Sequence, residues 1–383
     1  MSVVGLIWGA VTHIVPYILL LTVVVFVHEM GHFLVGRWCG IKADVFSIGF
    51  GRELAAFIDR KGTRWRLAAL PLGGYVKFHG DATVAGGTDE AALRRMPDTE
   101  RAVSFFAQPV WKRAATVAAG PVANFLLALL VLTATFSIYG RAILLPRIDV
   151  VVPGGAAEAA GLRAGDLILE IDGEKLESFG DLQRIVTTSA GQSLRMVVNR
   201  GGQSVALTAT PKLDNIEMPL GLGKSRAGVL GIKAGSDPQD WRKERYGLGE
   251  AAQLAAGESW TVAARTVSSI AGLLTGRIAA DQLSGPVGIA QVTGEIAKHG
   301  AESILQWLAF VSVSIGLLNL MPIPLLDGGH LLFYAIEAVR GRALDQRAQE
   351  FGFRIGLALV GGLVLFATYN DLARLTRQLL NLG

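Results

Sequence analysis

Val23-Val24-Val25-Phe26-Val27-His28-Glu29-Met30-Gly31-His32-Phe33-Leu34-Val35 sets an H-E-x-x-H pattern inside an apolar run. On a helix, residues four apart share a face, so His28 and His32 stand one turn apart on the same side. Two imidazoles so placed can ligate one zinc ion, and Glu29 beside them can act as general base on a water. Short patterns of this kind recur by chance, but the flanks argue against chance. Ile14–Val27 precede the motif and Phe33-Leu34-Val35 follow it, almost without polar side chains. Ionisable groups at membrane depth are costly and mark function.

The rest of the 383 residues agree with a membrane setting: 51% are hydrophobic and only 18% charged, and the mean hydropathy is +0.42. The single cysteine, Cys39, excludes an intrachain disulfide and a cysteine-based zinc site. A net charge of +4 is modest for this length, and its clusters bear on topology, not on nucleic acid. No Lys or Arg precedes the first apolar run, which reads as a retained helix, not a cleaved signal.

A span needs about 20 mostly apolar residues. Four stretches qualify: Ile14–Val35, Val117–Ile138, Ile304–Leu320 continuing towards Phe333, and Ile355–Ala367 with room to extend. The expected fold is a polytopic α-helical membrane protein of about four transmembrane helices, with an inserted α+β domain and a membrane-associated β-hairpin. The divisions are 1–36, 37–113, 114–140, 147–212, 213–302, 303–334 and 353–378. Basic residues crowd 37–113 and recur at Arg340, Arg342, Arg347 and Arg354, so both connections read as cytoplasmic. The inserted domain then lies outside.

Within 37–113, Trp65–Phe78 carries Pro71 and Gly73-Gly74 and reads as strands with a tight turn, a hairpin over about 64–79. Its apolar character beside the metal helix suggests that it dips towards the bilayer. There it must be covered by protein or line a wet cavity. Ala82–Glu100 reads as a polar surface segment. Over 147–212, short strands alternate with turns, and Phe179–Thr188 is an amphipathic helix. The run Gly161-Leu162 … Gly165-Asp166 … Ile171-Asp172-Gly173 resembles bacterial PDZ domains, which implies a groove that takes a peptide by strand addition. In 213–302, Leu254, Trp260, Val267, Ile270, Leu273 and Leu274 fall at near-helical spacing and mark an amphipathic helix, on the membrane surface or packed on the inserted domain.

Two histidines leave a catalytic zinc short of one protein ligand. Asn319-Leu320-Met321-Pro322-Ile323-Pro324-Leu325-Leu326-Asp327-Gly328-Gly329-His330 is an apolar helix broken by two prolines, with one carboxylate at the break. Broken helices at membrane depth mark sites. Asp327 is the preferred third ligand, with a helix cap as its other reading and His330 as its competitor. His13, His79 and His299 sit in no cluster. Asn124, in Gly120-Pro121-Val122-Ala123-Asn124, could hold a substrate carbonyl or an oxyanion, or join helices.

H-E-M-G-H, G-P-V-A-N-F, the PDZ-like insert, S-G-P-V-G and N-L-M-P-I-P-L-L-D-G-G-H are similar, in that order, to the site-2 intramembrane metalloproteases, and most so to the bacterial regulator-of-sigma-E type. The resemblance implies one zinc ion per chain on His28, His32 and Asp327, with Glu29 as base. It implies cleavage of single-span membrane proteins, such as an anti-sigma factor already trimmed by another protease. It implies a bacterial inner membrane with the PDZ part periplasmic and the metal site nearer the cytoplasm. Partners are then the lipid bilayer, the substrate, and a peptide or C-terminus at the PDZ groove, with no nucleic acid. Gly73, Gly74 and Tyr75 are expected to face the unwound substrate. One PDZ signature is present, where enterobacterial members have two. The rival readings are a PDZ adaptor with a vestigial metal site and a zinc-dependent transporter; the intact Glu29 stands against the first, and the lack of an inverted repeat against the second.

Overall fold

A computed structural model describes residues 3–81, 95–217, 224–235, 237–276, 280 and 283–379. Most of the segment expected at Ala82–Glu100 lies outside the described residues. The chain divides into two units.

The larger unit holds Met1–Ala134, Ala251–Val267 and Asp281–Gly383. Its main helices are α1 (Val3–Trp38), α2 (Val110–Ile138), α6 (Pro286–Ala297), α7 (Ala301–Asn319), α8 (Asp327–Arg340) and α9 (Gln346–Leu379). Among the described residues, four stretches are long and apolar enough to cross a membrane: Val11–Trp38, Val110–Ile138, Ala301–Asn319 and Arg347–Arg377. These coincide with the four expected spans. Pro16 and Pro121 both lie inside helices. Leu19, Leu130 and Leu365 project from three of them, largely exposed, as suits a lipid-facing surface. The third span ends at Asn319, and a break of seven residues separates it from α8. Gly328 has no room for a side chain there: a Cβ would collide with the carbonyl oxygens of Leu320 and Met321. The D-G-G run thus lets the break fold back on the first turn of α8.

S-G-P-V-G begins α6, whose first turn has no side-chain cap of its own. The cap comes from the last span. Asp371 on α9 accepts from the amides of Gly285 (3.0 Å) and Gly288 (2.7 Å), satisfying donors that the helix cannot. Trp307 on α7 donates to Thr293 on α6 at 2.9 Å. His13 on α1 packs against Gly294. These contacts fix α6 among three spans.

The sheet of this unit differs from the expected hairpin. Arg64–Phe78 is strand β2, and Gly73-Gly74 lies within it. Its partner is β1 (Ala43–Ile58), and the tight turn is Asp59–Thr63, where Asp59 accepts from the amides of Lys61 and Thr63. Arg37 also pairs with Asp59, so the turn is tied to the end of α1. Arg64–Leu67 pairs with Ala55–Ile58, and Val45–Ile48 also pairs antiparallel with Gly74–Lys77. Phe33, Phe46 and Trp65 interlock beneath the sheet, with ring centroids 4.4–5.3 Å apart. Phe50, Leu54, Phe57, Ile58, Leu67 and Leu70 stay exposed, a patch of the kind that meets a membrane or a partner.

The second unit holds Thr135–Glu250 and Ser268–Ala280. Its four-stranded sheet has the order β6 (Glu174–Lys175), β5 (Leu167–Ile171), β7 (Leu194–Arg200), β8 (Gln203–Ala209). Ile148, Ile168, Ile171, Leu182, Met196 and Val198 are fully buried in its core, each stabilising the unit by about 1.5–3 kcal/mol. Helix α3 is the single turn Ala156–Ala159. Helix α4 (Phe179–Thr188) starts at a reciprocal cap between Ser178 and Asp181. The unit is larger than the 147–212 expected from sequence. Strand β3 (Arg141–Leu144) pairs with β12 (Trp241–Glu244), β4 (Ile148–Val151) with β11 (Ile232–Ala234), and β9 (Lys212–Glu217) with β10 (Lys224–Val229). Helix α5 (Leu248–Leu274) follows in the chain, as the spacing of its apolar residues predicts, with Ala251–Val267 belonging to the larger unit.

Candidate metal centre

Three donors converge where α1, α2 and the start of α8 meet. Nε2 of His28 is 3.2 Å from Nε2 of His32. Oδ2 of Asp327 is 3.1 Å from the first and 3.5 Å from the second. A tetrahedral zinc with ligand bonds of about 2.0–2.1 Å separates its donors by about 3.3–3.4 Å. The three distances match the edges of that tetrahedron. Asp327 Oδ2 is buried with no hydrogen-bond partner among the described residues. An orphaned carboxylate oxygen facing two imidazole nitrogens fits a cation between them. These three form the one such group of His, Cys, Asp and Glu among the described residues.

The neighbouring helix makes room for them. A Cβ on Gly120 would collide with the ring of His32 and lie 2.9 Å from Cε1 of His28. Pro121 lacks an amide hydrogen, so α2 is also loosened at this point. His32 Nδ1 lies 2.9 Å from the carbonyl of Thr116. That oxygen can only accept, so Nδ1 carries the hydrogen and Nε2 keeps its lone pair for a metal. Asn124, fully buried, sets its amide 3.2 Å from His28 Nδ1 while its Oδ1 has no partner among the described residues. Rotating the amide half a turn brings Oδ1 onto Nδ1–H, which satisfies the orphan and frees His28 Nε2 in the same way. Neither second contact is visible in the H-E-x-x-H spacing; the G-P-x-x-N run one helix away is its only trace.

Glu29 lies at the same place. Val76 on β2 lines the cavity beside it, and a Cβ on Gly74 would lie 3.1 Å from its Cγ. Glu29, Gly74, Tyr75, Asp81, Asp327 and Tyr334 share a cavity of about 280 Å³ with both histidines. Gly73 is set back: a side chain there would collide with Phe50. His330 lines the cavity and stacks near Phe353, 5.3 Å between centroids, outside the three-donor group. His79 meets Asp44 at 3.0 Å and His299 the carbonyl of Glu295 at 3.0 Å, away from the cavity. Leu325 adopts φ 99° just before Asp327. Strain at a bulky residue collects at functional sites.

The family model of Peptidase family M50 matches residues 16–363. The chain belongs to this family. A protein of Agrobacterium fabrum named "Putative zinc metalloprotease" is 48% identical over 98% of each chain. A Rhizobium meliloti protein of the same description is 47% identical over 93% of this chain and 95% of its own. "Metalloprotease MmpA" of Caulobacter vibrioides is 39% identical over 96% of each. This M50 peptidase is a zinc metalloprotease, and its four apolar helices make it an intramembrane one.

Proposed function

We propose that this M50 peptidase hydrolyses a peptide bond within or near the transmembrane segment of single-span membrane proteins, with an anti-sigma factor already trimmed outside as the substrate class. The observation that carries the reading is the convergence of His28, His32, Asp327, Glu29 and the Gly74–Val76 edge of β2 on one cavity. His28, His32 and Asp327 would hold the zinc, and the bound ion supplies an acidified water and a polarising charge. Thr116 and Asn124 fix the imidazoles. Asn124 therefore acts through His28, and being fully buried it has no surface to offer a substrate. Glu29 accepts the proton at its carboxylate and returns it to the leaving amine.

A helical substrate hides its carbonyls in its own hydrogen bonds, so it must open before it can be cut. The edge of β2 at Gly74-Tyr75 can take the opened segment as an added strand. The exposed apolar patch of β1 and β2 would seat the sheet against lipid at that depth. The second unit takes the part of a periplasmic PDZ domain: its groove would hold a peptide or new C-terminus, or exclude untrimmed external domains. The membrane would be the bacterial inner membrane, with the basic 37–113 segment cytoplasmic. Co-expressing the chain with single-span regulators, with and without Glu29→Gln, tests the reading. A trimmed product seen by mass spectrometry only with the intact enzyme is expected. Equal trimming by both would overturn it.

A further inference from the structure

The cavity at the metal centre does not end at the three ligands. Its lining also takes in Phe78, Phe105, Phe106, Val117, Tyr334 and Asp81. The first five side chains make an apolar, largely aromatic wall, and Asp81 adds a carboxylate to it. Asp81 follows β2 in a turn, with its amide on the Phe78 carbonyl at 3.1 Å. Its Oδ2 accepts from the Phe78 amide at 2.9 Å. Among the described residues no Lys, Arg or His pairs with it. The nearby carboxylate Asp44 is engaged with His79 and Lys42, and the nearby guanidinium of Arg113 is held by Glu337 at 2.6 Å. Burial pushes the Asp81 carboxyl up to about 7, with Asp44 adding to the rise and the Phe78 amide and Lys77 opposing it. A carboxylate so placed lacks a cation, and the described residues provide none.

We propose that Asp81 binds a Lys or Arg side chain of the substrate and so sets which peptide bond reaches the metal centre. The inference rests on the reading of the chain as a protease whose centre is His28, His32 and Asp327. The fit is chemical at both ends of the side chain. An apolar stem of three or four methylenes suits the aromatic wall. Arg113 already lies 5.0 Å over the Tyr334 ring, so this wall accommodates a cation beside an aromatic face. The charged tip then meets the carboxylate in a charge-assisted hydrogen bond, which is stronger away from water. A cavity of about 280 Å³ has room for one such side chain. Substrates of this kind carry the matching residue: Lys and Arg concentrate at the cytoplasmic end of a transmembrane segment. A subsite for them would select a bond a fixed number of residues from that end, which a purely apolar site could not do.

The test uses the full-length chain with a set of single-span substrates. In each, one position near the cytoplasmic end of the span is Lys, Leu or Glu, and cut sites are read by mass spectrometry. With the unaltered enzyme, one position should favour Lys over Leu by about tenfold in kcat/KM, the size of one charge-assisted hydrogen bond. Moving that Lys by one residue should move the cut by one residue. Asp81→Asn should collapse the Lys-to-Leu ratio towards one, and Asp81→Lys should reverse it in favour of Glu. The substrate series needs no altered enzyme, so a variant that fails to fold does not rescue the idea. A Lys-to-Leu ratio near one with the unaltered enzyme, or a ratio unchanged by Asp81→Asn, overturns the subsite while leaving the protease reading intact. Cleavage that persists in Glu29→Gln overturns both.

Discussion

Gly120 lies directly against the imidazole of His32, with no space between them for a methyl group. The relationship spans two helices, since Gly120 is on α2 and His32 on α1. Gly120→Ala should therefore push α2 away from the histidines or turn their rings. The expected outcome is loss of bound zinc together with a fall in activity of at least 100-fold, because misplacing reacting groups by about 1 Å costs that much. Zinc content by mass spectrometry and cleavage of a single-span substrate check it. An alanine variant with full zinc and full activity would show that the two helices are not packed through this glycine.

Glu29 touches the cavity but is not one of the three converging donors. Glu29→Gln is expected to keep zinc at one per chain and to lower turnover by about 10²–10⁴-fold, the usual share of a general base. Metal content and single-turnover cleavage in the same preparation separate the two effects. Turnover within a few-fold of the unaltered enzyme removes Glu29 from the role of base.

The sequence pointed to the three proposed ligands because they fall in two compact patterns. H-E-x-x-H fixes two donors by helical spacing alone, and Asp327 stands out as the carboxylate at a helix break. The supports of those ligands were not legible. The Thr116 carbonyl is a backbone atom, and its contact with His32 exists only once α2 packs on α1. The partner of β2 was missed for a related reason. Ala43–Ile58 alternates poorly, with Gly49 and Gly51 inside it, while Gly73-Gly74 carries a turn signal that the sheet overrides. The turn that forms is Asp59–Thr63, where Asp59 gathers two amides and the Arg37 side chain. The second unit outgrew its sequence boundary because β11 completes β4 from about 80 residues downstream. Pairing at that distance leaves no local periodicity to read.

Asn124 and His28 form the second contact of the metal centre. Groups that orient a ligating histidine typically cost 10–100-fold in metal affinity or activity when removed. Asn124→Ala should weaken zinc by that factor, read by competition with a chelator, while Asn124→Asp should retain it because a carboxylate also accepts from Nδ1–H. In parallel, Asp327→Asn should strip zinc and His330→Ala should not. Loss of zinc from His330→Ala with Asp327→Asn fully loaded would name the other residue as the third ligand.

In the second unit, Asp166 is buried and gripped by Arg200 through Nε at 2.8 Å and Nη2 at 2.7 Å. Burial alone would raise its carboxyl, but the Arg200 hydrogen bonds and the Arg163 amide outweigh that and hold it below the usual carboxylate range. A carboxyl lowered on folding adds stability above the ordinary aspartate range, and the gain fades as pH falls through the folded value. Asp166→Asn should therefore destabilise the unit by roughly 3 kcal/mol near neutral pH, as expected for a broken buried pair. The gap should narrow in acid. Denaturant unfolding of the full chain at pH 7 and pH 3, followed by proteolysis of the second unit, measures both. An equal gap at the two pH values would mean that the charge contributes nothing.

Within the second unit, the paired strands β3 and β12 bracket residues 145–240, which permits a clean removal of that segment. Leu144 at the end of β3 is the register partner of Trp241 at the start of β12. In an antiparallel pair the Cα atoms of such partners lie about 4.5–5.5 Å apart. A two-residue Asn-Gly turn can join them as a hairpin. Deleting Leu145–Asp240 and inserting that turn should leave the remaining β3–β12 pair closed. Cutting at 147 and 212 instead would remove β4 and leave β11 without its partner. If the unit screens substrates and takes no part in chemistry, the shortened enzyme should cut a pre-trimmed single-span substrate at close to the full rate. It should also cut the untrimmed form, which the complete chain spares. The quantity to measure is the ratio of the two cleavage rates in the same membranes, for the complete and the shortened chain. A ratio that does not change denies the screening role. A folded, zinc-loaded shortened enzyme that cuts neither form would place the second unit within the catalytic machine.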